Sequence, residues 1–490
     1  MAAASRRRGR WLGTGFALWA ATMGCALAQD TATIDPVAPP ALDGSAPPPA
    51  GKAKLPTDAP STEARKSDSL AAMEILGFDV LVNRANNLFG SSADYRVTLP
   101  SIRRNLRSAW VVDNDPFRVN QFMHPYQGSM YHGFARSTGH DYWTSMGYTF
   151  AGSLAWEIAG ENTLPARNDQ IASGIAGSFL GEPLYRMANL MLERGRMSRG
   201  WREVAAGAIH PSVGFNRLLF GDEYGGIFPS NDPAYYSRLQ LGVSGLAQND
   251  PGASTSTKRG EVLADFSMEY GLPGKPGYVY RRPFDYFSFQ ATGSSANGVE
   301  NIMTRGLLYG ADYSYGENFR GVWGLYGSYD YLAPQIYRVS STAASVGTTG
   351  QWWLSKSNAL QATALGGIGY AGASTVNGVG ERDYHYGVAP QALLALRWIY
   401  GDRAALDIAA REYYVSRAGG DRAGHDNIVR TDATLTWRVH GQHGVAIKYL
   451  FNRRDASYPD LGTRVQSRGT LGLYYVLLGQ DRFGVVDWRP

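Results

Sequence analysis

The chain has 490 residues and a net charge of +5, with 30 tyrosines, 12 tryptophans and 59 glycines. Charged residues form 18% of the sequence and are spread along it, which excludes the clustered basic patch that nucleic-acid binding requires. Low mean hydropathy with abundant Tyr, Trp and Gly is typical of a transmembrane β-barrel, because alternation along the strands hides the membrane-facing residues in any average.

The N-terminal stretch has the three parts of a secretory signal peptide. Arginines in 6–10 precede an apolar segment at 11–26, and Ala-Leu-Ala at 26–28 is a small-x-small cleavage site. The sequence therefore predicts a cleaved signal peptide over residues 1–28, with a twin-arginine signal and a lipoprotein site as weaker alternatives. Cleavage would remove Cys25, the one cysteine, so the mature chain would have no disulfide, thiolate metal site or cysteine nucleophile.

A linker and a helical region are predicted next. Residues 29–69 are rich in Pro, Ala, Asp and Thr, and such a composition predicts a disordered linker because it cannot bury a core. Residues 70–230 are expected to form a helical domain, since apolar residues recur there at helical spacing. After its first helix, further helices are predicted over 144–159, 169–192 and 199–209.

From about Ala234 the pattern changes to period two. Apolar or aromatic residues alternate with polar ones over 262–270, 307–315, 323–331, 433–439 and 445–451, with hairpin turns at 401–403 and 441–444. About twelve such strands extend to residue 478, an even number as single-chain barrels require. The predicted fold is mainly β, a transmembrane antiparallel β-barrel over 231–490 preceded by the small α-helical domain.

A secreted β-sandwich would also show alternation. Three features favour a barrel in lipid: strands of about 10 or more residues, Tyr and Trp near strand ends, and one wholly apolar face. Gly- and Asn-rich connections at 248–260, 373–383 and 419–427 are expected to be extracellular loops.

The segment upstream of the strands resembles a known family of exported bacterial proteins, the "domain of unknown function 3943" family. The resemblance covers about residues 70 to 200. It rests on WVVDNDPF at 110–117, Asn120, HPYQG at 124–128, FAGSLAWE at 150–157, Glu161, Pro165, Asn168, Asp169, Gly181, Glu182 and Arg186. The resemblance implies an outer-membrane association and brings no established activity, so it transfers no catalytic role.

The same segment contains the parts of a nucleophilic site. His124 could act as a base, oriented by Asp113 or Asp115, because a catalytic serine needs a base within hydrogen-bond reach and the base needs an orienting acid. Ser129 is the candidate nucleophile, although no Gly-x-Ser-x-Gly elbow is present. In the structural alternative, which the sequence favours, the two aspartates and Asn120 hold loops through backbone hydrogen bonds.

No metal or cofactor is predicted. Metal-ligand residue types are present, but no His-Glu-x-x-His or paired-Cys spacing is found. Glu157, next to Trp156, and Glu161 lie at i and i+4 on one helix face. Such a pair could bind a hard cation, share a proton, or pair with barrel arginines such as Arg411 or Arg438.

The helix over 169–192 is expected to start at Asp169 as its N-cap. Glu182 and Arg186 are spaced i, i+4 on it and predict an internal ion pair. If this helix lies in the barrel lumen, the pair would anchor it to a polar inner wall with residues such as Asp265 and Asp330.

Three functions remain open at this point. The first is a structural or transport barrel of unknown substrate in the outer membrane, with the helical region plugging or capping it. The second is an outer-membrane lipid-modifying hydrolase or acyltransferase that uses His124 with Asp113 or Asp115. The third is a helical periplasmic domain that binds a partner, such as a lipoprotein or the cell wall, with the barrel as its anchor. The expected partners are outer-membrane lipid and a periplasmic protein or cell-wall component. The sequence leaves open whether the helices lie in the lumen or in the periplasm.

Overall fold

The computed structural model describes residues 66–89, 93–194, 197–221, 223–224, 226–250, 258–374, 382–420, 423–480 and 483–488. The predicted signal peptide and the predicted linker up to residue 65 lie outside the described residues. The first helix begins at Asp68, two residues before the predicted start of the helical region.

The helical region runs from Asp68 to Phe220. Its α-helices are α1 (Asp68–Phe89), α2 (Leu99–Asn105), α3 (His124–Ser137), α4 (Tyr142–Ala159), α5 (Arg167–Gln170), α6 (Gly177–Arg194), α7 (Arg199–Ile209) and α8 (Pro211–Phe220). Two π-helical segments, Val119–Met123 and Ile171–Ala176, lead directly into α3 and α6. The predicted helix over 199–209 has the bounds of α7. Asp169 lies inside α5, whose N-cap is Ala166, so its prediction as an N-cap was wrong.

Twelve strands form a closed antiparallel barrel in which β1 pairs with both β2 and β12, which confirms the predicted fold class. The strands are β1 (Tyr235–Asp250), β2 (Gly260–Tyr270), β3 (Phe287–Ser294), β4 (Gly298–Tyr315), β5 (Phe319–Leu332), β6 (Val339–Trp353), β7 (Asn358–Ser374), β8 (Tyr384–Tyr400), β9 (Ala404–Val415), β10 (His425–His440), β11 (His443–Tyr458) and β12 (Gly462–Leu478).

The connections differ between the two ends of the barrel. Turns of two to four residues join β4 to β5, β6 to β7, β8 to β9 and β10 to β11 at one end, where the β2–β3 connection (271–286) is the long exception. The three predicted loops all lie at the opposite end. Their central residues, 251–257, 375–381 and 421–422, lie outside the described residues.

Ion pairs between strands that are not neighbours identify the inner face. Arg238 on β1 reaches Asp407 on β9 at 2.5 Å, and Lys448 on β11 reaches Asp265 on β2 at 3.1 Å. Because these strands do not pair, the side chains must meet across the interior. Residues of the other parity point outward and are largely apolar, as on β10, where Leu435, Trp437 and Val439 are exposed.

The barrel interior is filled by its own side chains and by the C-terminal segment 483–488. Gln351 and Gln361, both inward-facing, donate to the carbonyls of Val486 (2.7 Å) and Gly484 (3.0 Å), and Phe483 is fully buried. A cavity of about 110 Å³ remains beside Arg238, room for a few waters. The interior is therefore packed rather than an open channel.

The helical region packs against the outside of the barrel. The Tyr329 hydroxyl on β5 donates to the carbonyl of Gln121 at 2.6 Å, whereas the next residue, Asp330, accepts across the interior from Tyr413 on β9. Tyr329 must therefore point outward. Gly327, two residues before Tyr329 on β5, faces outward as well and lies under the ring of Phe179.

Of the two predicted placements of the helices, a plug in the lumen and a cap on the barrel, the plug was therefore wrong. Period-two alternation indicates that a strand has a polar face, but it does not show what fills the space behind that face. Here the large charged side chains of the strands occupy that space, and the helices pack against the apolar outer wall instead. Within the described part of the chain, no helix combines the length and hydropathy that crossing a membrane requires.

Candidate functional site

The π-helical segment Ile171–Ala176 lies against α3 at the centre of the helical region. A Cβ added to Gly128 on α3 would meet the carbonyl oxygen of Ser173 at 2.0 Å, and one added to Gly177 would meet the Cα of Gly128 at 2.7 Å. Glycine at both positions thus permits the close approach of the two helices. Single π-helical turns are rare and often mark functional sites. They bring His124 and Ser173 together here.

The imidazole of His124 lies between a serine and a carboxyl group. Its Nδ1 is 3.4 Å from the Oγ of Ser173, and its Nε2 is 3.8 Å from a carboxyl oxygen of Asp169. Burial lowers the pKa of His124 to about 4, so the ring is neutral at pH 7. Burial, and then the charge of Asp113, raise the pKa of Asp169 well above its usual range. The neutral forms of both groups are favoured.

Asp113 connects the first π-helical segment to α5. One of its carboxylate oxygens accepts hydrogen bonds from the amides of Asn120 (2.5 Å) and Asn168 (2.7 Å), and its backbone N–H donates to Asn168 at 3.0 Å. These contacts are the kind expected of the structural alternative, in which an aspartate holds a loop to neighbouring helices.

Two tyrosines from the outer wall of the barrel close this cluster. Asn120 donates to the hydroxyl of Tyr384 at 2.9 Å, and Asn168 donates to that of Tyr386 at 3.1 Å. Asp115 lies at the same junction, where its carboxylate is 3.3 Å from Arg382 and its carbonyl accepts from Tyr384 at 2.7 Å. Asp115 thus ties the helical region to the start of β8 and makes no contact of this kind with His124.

Ser129, the predicted nucleophile, faces away from His124. It is fully buried on α3, and its Oγ donates to the carbonyl of Tyr126 at 2.6 Å. The structure puts Ser173 beside the histidine instead, with Asp169 as the carboxyl group. Asp169 and Ser173 are spaced i, i+4 in the sequence, a signal that could have found them together. The sequence analysis predicted no role for Ser173.

Glu157 and Glu161 are held by local donors. Glu157 accepts from the N–H of Ala166 at 2.8 Å, and Glu161 accepts from the Trp156 indole at 2.9 Å. Burial raises the pKa of Glu161 to about 7 and that of Glu157 well above its usual range. The alternative in which they pair with barrel arginines was wrong, since Arg411 lies 3.5 Å from Asp432 and Arg438 pairs with Asp402.

Glu182 and Arg186 form a buried ion pair at 2.8 Å. Glu182 also binds Arg136 at 2.9 Å and His132 at 3.1 Å. Burial alone would raise its pKa, but the two arginines hold the pKa well below its usual range. Arg186 then reaches Asp285 at 3.0 Å. Because Asp285 lies in the β2–β3 connection, the predicted anchoring of this pair to the inner wall of the lumen was wrong.

The His124 cluster offers acid–base groups but no metal centre. Among the described residues, no group of three or more His, Cys, Asp or Glu side chains is arranged to hold a metal ion. What the cluster provides is a neutral imidazole, a serine hydroxyl and the carboxyl group of Asp169, whose pKa burial raises, all within helices that contact the outer wall of the barrel.

Residues 109–212 match the family described as "Domain of unknown function (DUF3943)". This match confirms the resemblance seen in the sequence. It spans His124, Ser173 and Asp169, the three residues at the centre of the cluster, and the description names no activity. No curated protein matches the chain.

Solved structures with some likeness to the chain include a porin and two outer-membrane channels. The NanC porin is 8% identical, with 49% of this chain and 98% of that chain covered and a TM-score of 0.23. The outer membrane channel DcaP of Acinetobacter baumannii is 8% identical over 50% and 96%, with a TM-score of 0.23. The COG4313 outer membrane channel from Pseudomonas putida F1 is 11% identical over 50% and 96%, with a TM-score of 0.27.

Proposed function

We propose that the protein is an outer-membrane β-barrel whose closed barrel anchors the helical region in the lipid phase, where that region binds lipid. Strands such as β4 (18 residues) and β7 (17 residues) exceed the roughly 9–11 residues that cross a bilayer when tilted. Their outward residues are apolar or aromatic, as a lipid-facing wall requires, and include Trp323, Ile368 and Trp398.

One observation carries the proposal: the helices lie on the outward face of the strands. In a membrane, that face meets lipid, so helices attached to it share the lipid phase. The surface of the helical region also supports a location in lipid, because large apolar side chains are exposed on it. They include Met73, Leu76, Val80, Leu81, Leu88, Phe89, Trp201, Val204, Leu218 and Leu219. Polar groups such as Glu74, His132, Arg136, Glu182 and Asn216 are buried. An exposed apolar surface of this extent is typical of a face that contacts lipid or another protein.

A packed interior argues against transport through the barrel. Charge pairs such as Arg238–Asp407 cross it, and the C-terminal segment 483–488 fills one part. We infer that the barrel serves as an anchor and that solute does not pass through it.

The location of the helices can be tested by lipid quenching. Leu218 on α8 is 83% exposed and would carry a fluorophore on a cysteine in a Cys25→Ser background. We expect bromine-substituted lipids to quench this label as strongly as one at Val346 on the outer wall of β6, and more strongly than one at Lys356 in the β6–β7 turn. Quenching at Leu218 by aqueous iodide, at the level of the turn label, would overturn the proposal.

A second function, lipid modification, is favoured by the contact of His124 with Ser173 and Asp169. A histidine that lies between a serine hydroxyl and a carboxyl group is the arrangement found in acyl-transfer sites. The test is a mass-spectrometric profile of outer-membrane lipids from cells with no protein, wild type, His124→Ala, Ser173→Ala or Ser129→Ala. A lipid species that changes with wild type and Ser129→Ala, but not with the other two variants, would support an enzyme. Identical profiles, with all forms folded in the membrane, would leave lipid binding without chemistry.

A further inference from the structure

A groove of about 530 Å³ opens on the helical region away from the His124 cluster. It lies between α1, the stretch 95–97 and the end of α4. Its lining residues are Leu76, Asp79, Val80, Asn83, Arg84, Asn87, Tyr95, Arg96, Val97, Ala155, Ala159 and Gly160. The volume is in the range of about 300–1,000 Å³ that is usual for small-molecule sites.

The groove is rigid because asparagines fix its two walls. The amide of Asn83 on α1 donates to the carbonyls of Tyr95 (2.9 Å) and Gly160 (2.8 Å), and Asn87 donates to the same carbonyl of Tyr95 at 2.6 Å. These bonds join α1 to the stretch 95–97 and to the end of α4. The space between the walls is therefore part of the fold.

One end of the groove is apolar and open to the surroundings. Leu76 and Val80, one turn apart on α1, are 53% and 61% exposed. Small apolar residues of α4, Ala155 and Ala159, form the opposite wall. This end continues the exposed apolar surface of α1, so an acyl chain can lie in it and remain in contact with surrounding lipid.

The other end carries two cations. Arg84 follows Val80 by one turn of α1, and Arg96 faces it from the opposite wall. Both side chains are exposed, and neither forms an ion pair or side-chain hydrogen bond with a residue that the structure describes. Arginine guanidinium groups suit phosphate, because their N–H donors match phosphate oxygens in pairs.

Asp79 is a third polar group in the groove and lies on α1, on the same wall as Arg84. It is 7% exposed, and one of its carboxyl oxygens accepts a hydrogen bond from Tyr131 while the other has no partner. Burial raises the pKa of Asp79 to about 7, so a large fraction is protonated at neutral pH. Protonated Asp79 does not repel an anion.

We propose that the groove binds one anionic phospholipid, with its phosphate between Arg84 and Arg96 and one acyl chain along Leu76 and Val80. The inference rests on the proposed function, because a bilayer lipid reaches this groove only if the helices lie in the lipid phase. A second acyl chain would stay in the surrounding bilayer, since the groove has room for a headgroup and part of one chain.

The test is native mass spectrometry of the full chain released from nanodiscs of phosphatidylglycerol or phosphatidylcholine. We expect wild type to retain phosphatidylglycerol in preference to phosphatidylcholine. Replacing Arg84 or Arg96 by alanine should lower the apparent affinity about tenfold each, since each removes a charge-assisted contact. Arg103→Ala is the matched control, because Arg103 is an exposed arginine on α2 that does not line the groove.

The outcomes separate the groove from the proposed function. Equal retention of phosphatidylglycerol by Arg84→Ala, Arg96→Ala and Arg103→Ala would overturn the groove proposal, as would equal retention of phosphatidylcholine by wild type. Free phosphate that competes as well as the lipid would identify a soluble anion as the ligand and overturn it also. The label at Leu218 reports on the helices independently. Lipid quenching there without selective retention would reject the groove alone.

Discussion

The ring of Phe179 on α6 lies over the backbone of Gly327 on β5, so close that a Cβ on this glycine would stand 2.5 Å from the Cζ of the ring. Gly327 belongs to the outward face of the barrel, and it is buried only because the helix covers it. The Oγ of Thr304, on the neighbouring strand, donates to the carbonyl of Phe179 at 3.4 Å. This contact requires the absence of a side chain on the strand, so it is a sensitive point in the attachment of the helices to the barrel.

Gly327→Ala should loosen this attachment. The added methyl group would overlap the Phe179 ring, and overpacking of this kind costs about 1–3 kcal/mol. We expect faster proteolysis of the helical region in detergent micelles while the barrel remains folded. Gly366→Ala is the matched control, since Gly366 is also an outward-facing barrel glycine but has open space around its Cβ position. Equal proteolysis of the two variants would show that the ring contact does not hold the helices.

The ion pair between Glu182 and Arg186 should contribute strongly to the stability of the helical region. Glu182→Ala leaves two buried arginines, Arg136 and Arg186, without their shared carboxylate, which is expected to cost about 3–5 kcal/mol. The thermal midpoint of the helical region would measure this loss. Arg199→Ala is the control, because it breaks an exposed i, i+4 pair with Glu203 that is expected to contribute at most about 1 kcal/mol and leaves the contact of Glu203 with Arg217 in place. Similar midpoints for the two variants would contradict the expectation.

The C-terminal segment should keep the barrel closed to ions. We expect wild type to show little conductance in planar bilayers, and a chain ending at Gln480 to conduct, because it lacks the residues that fill the interior beside Gln351 and Gln361. A chain ending at Trp488 keeps those residues and should behave as wild type. Loss of helical residues should not open the barrel, since they lie outside it. A pore in the intact protein, or a closed barrel after truncation at Gln480, would contradict this assignment.

Glu161 should make the helical region less stable as the pH rises. Its pKa is raised by burial from 4.5 to about 7 in the folded state, so the folded chain binds more protons than the unfolded chain between these values. The stabilisation from this group is present in full below pH 4.5 and is lost as the pH rises through 7. The loss is on the order of 3 kcal/mol.

Glu161→Gln should therefore gain stability relative to wild type between pH 5 and pH 8, as read from thermal midpoints. Comparing the variant with wild type isolates this group from other buried carboxyls such as Asp79 and Glu74, whose pKa values burial also raises to about 7. Glu317→Gln, at an exposed position in the β4–β5 turn, is the matched Glu-to-Gln substitution outside the helical region. A constant difference from wild type for Glu161→Gln would mean that this carboxyl group does not titrate as expected.

Much of the candidate site was local enough to be anticipated. His124, Asp113 and Glu161 were identified as candidate site residues from their residue types and neighbours, and Glu182 with Arg186 from helical spacing. The residues that contact them in the fold were not anticipated. Ser173 was overlooked because the π-helical turns that bring it to His124 depend on the close approach of two helices at Gly128. Tyr384 and Tyr386 were overlooked because about 260 residues separate them from Asn120 and Gln121.

By itself, the sequence determined the closed barrel, because alternation, strand length and turn residues are local properties that one stretch of chain carries. The strands near Val262 and Trp437 were assigned from that alternation alone. Only the tertiary structure decided which side of the wall the helices occupy. That choice depends on the space left behind inward pairs such as Arg238–Asp407 and on the small residue at Gly327, which admits Phe179. The periodicity of a single segment predicts neither the volume of the barrel interior nor the fit between surfaces that are distant in the sequence.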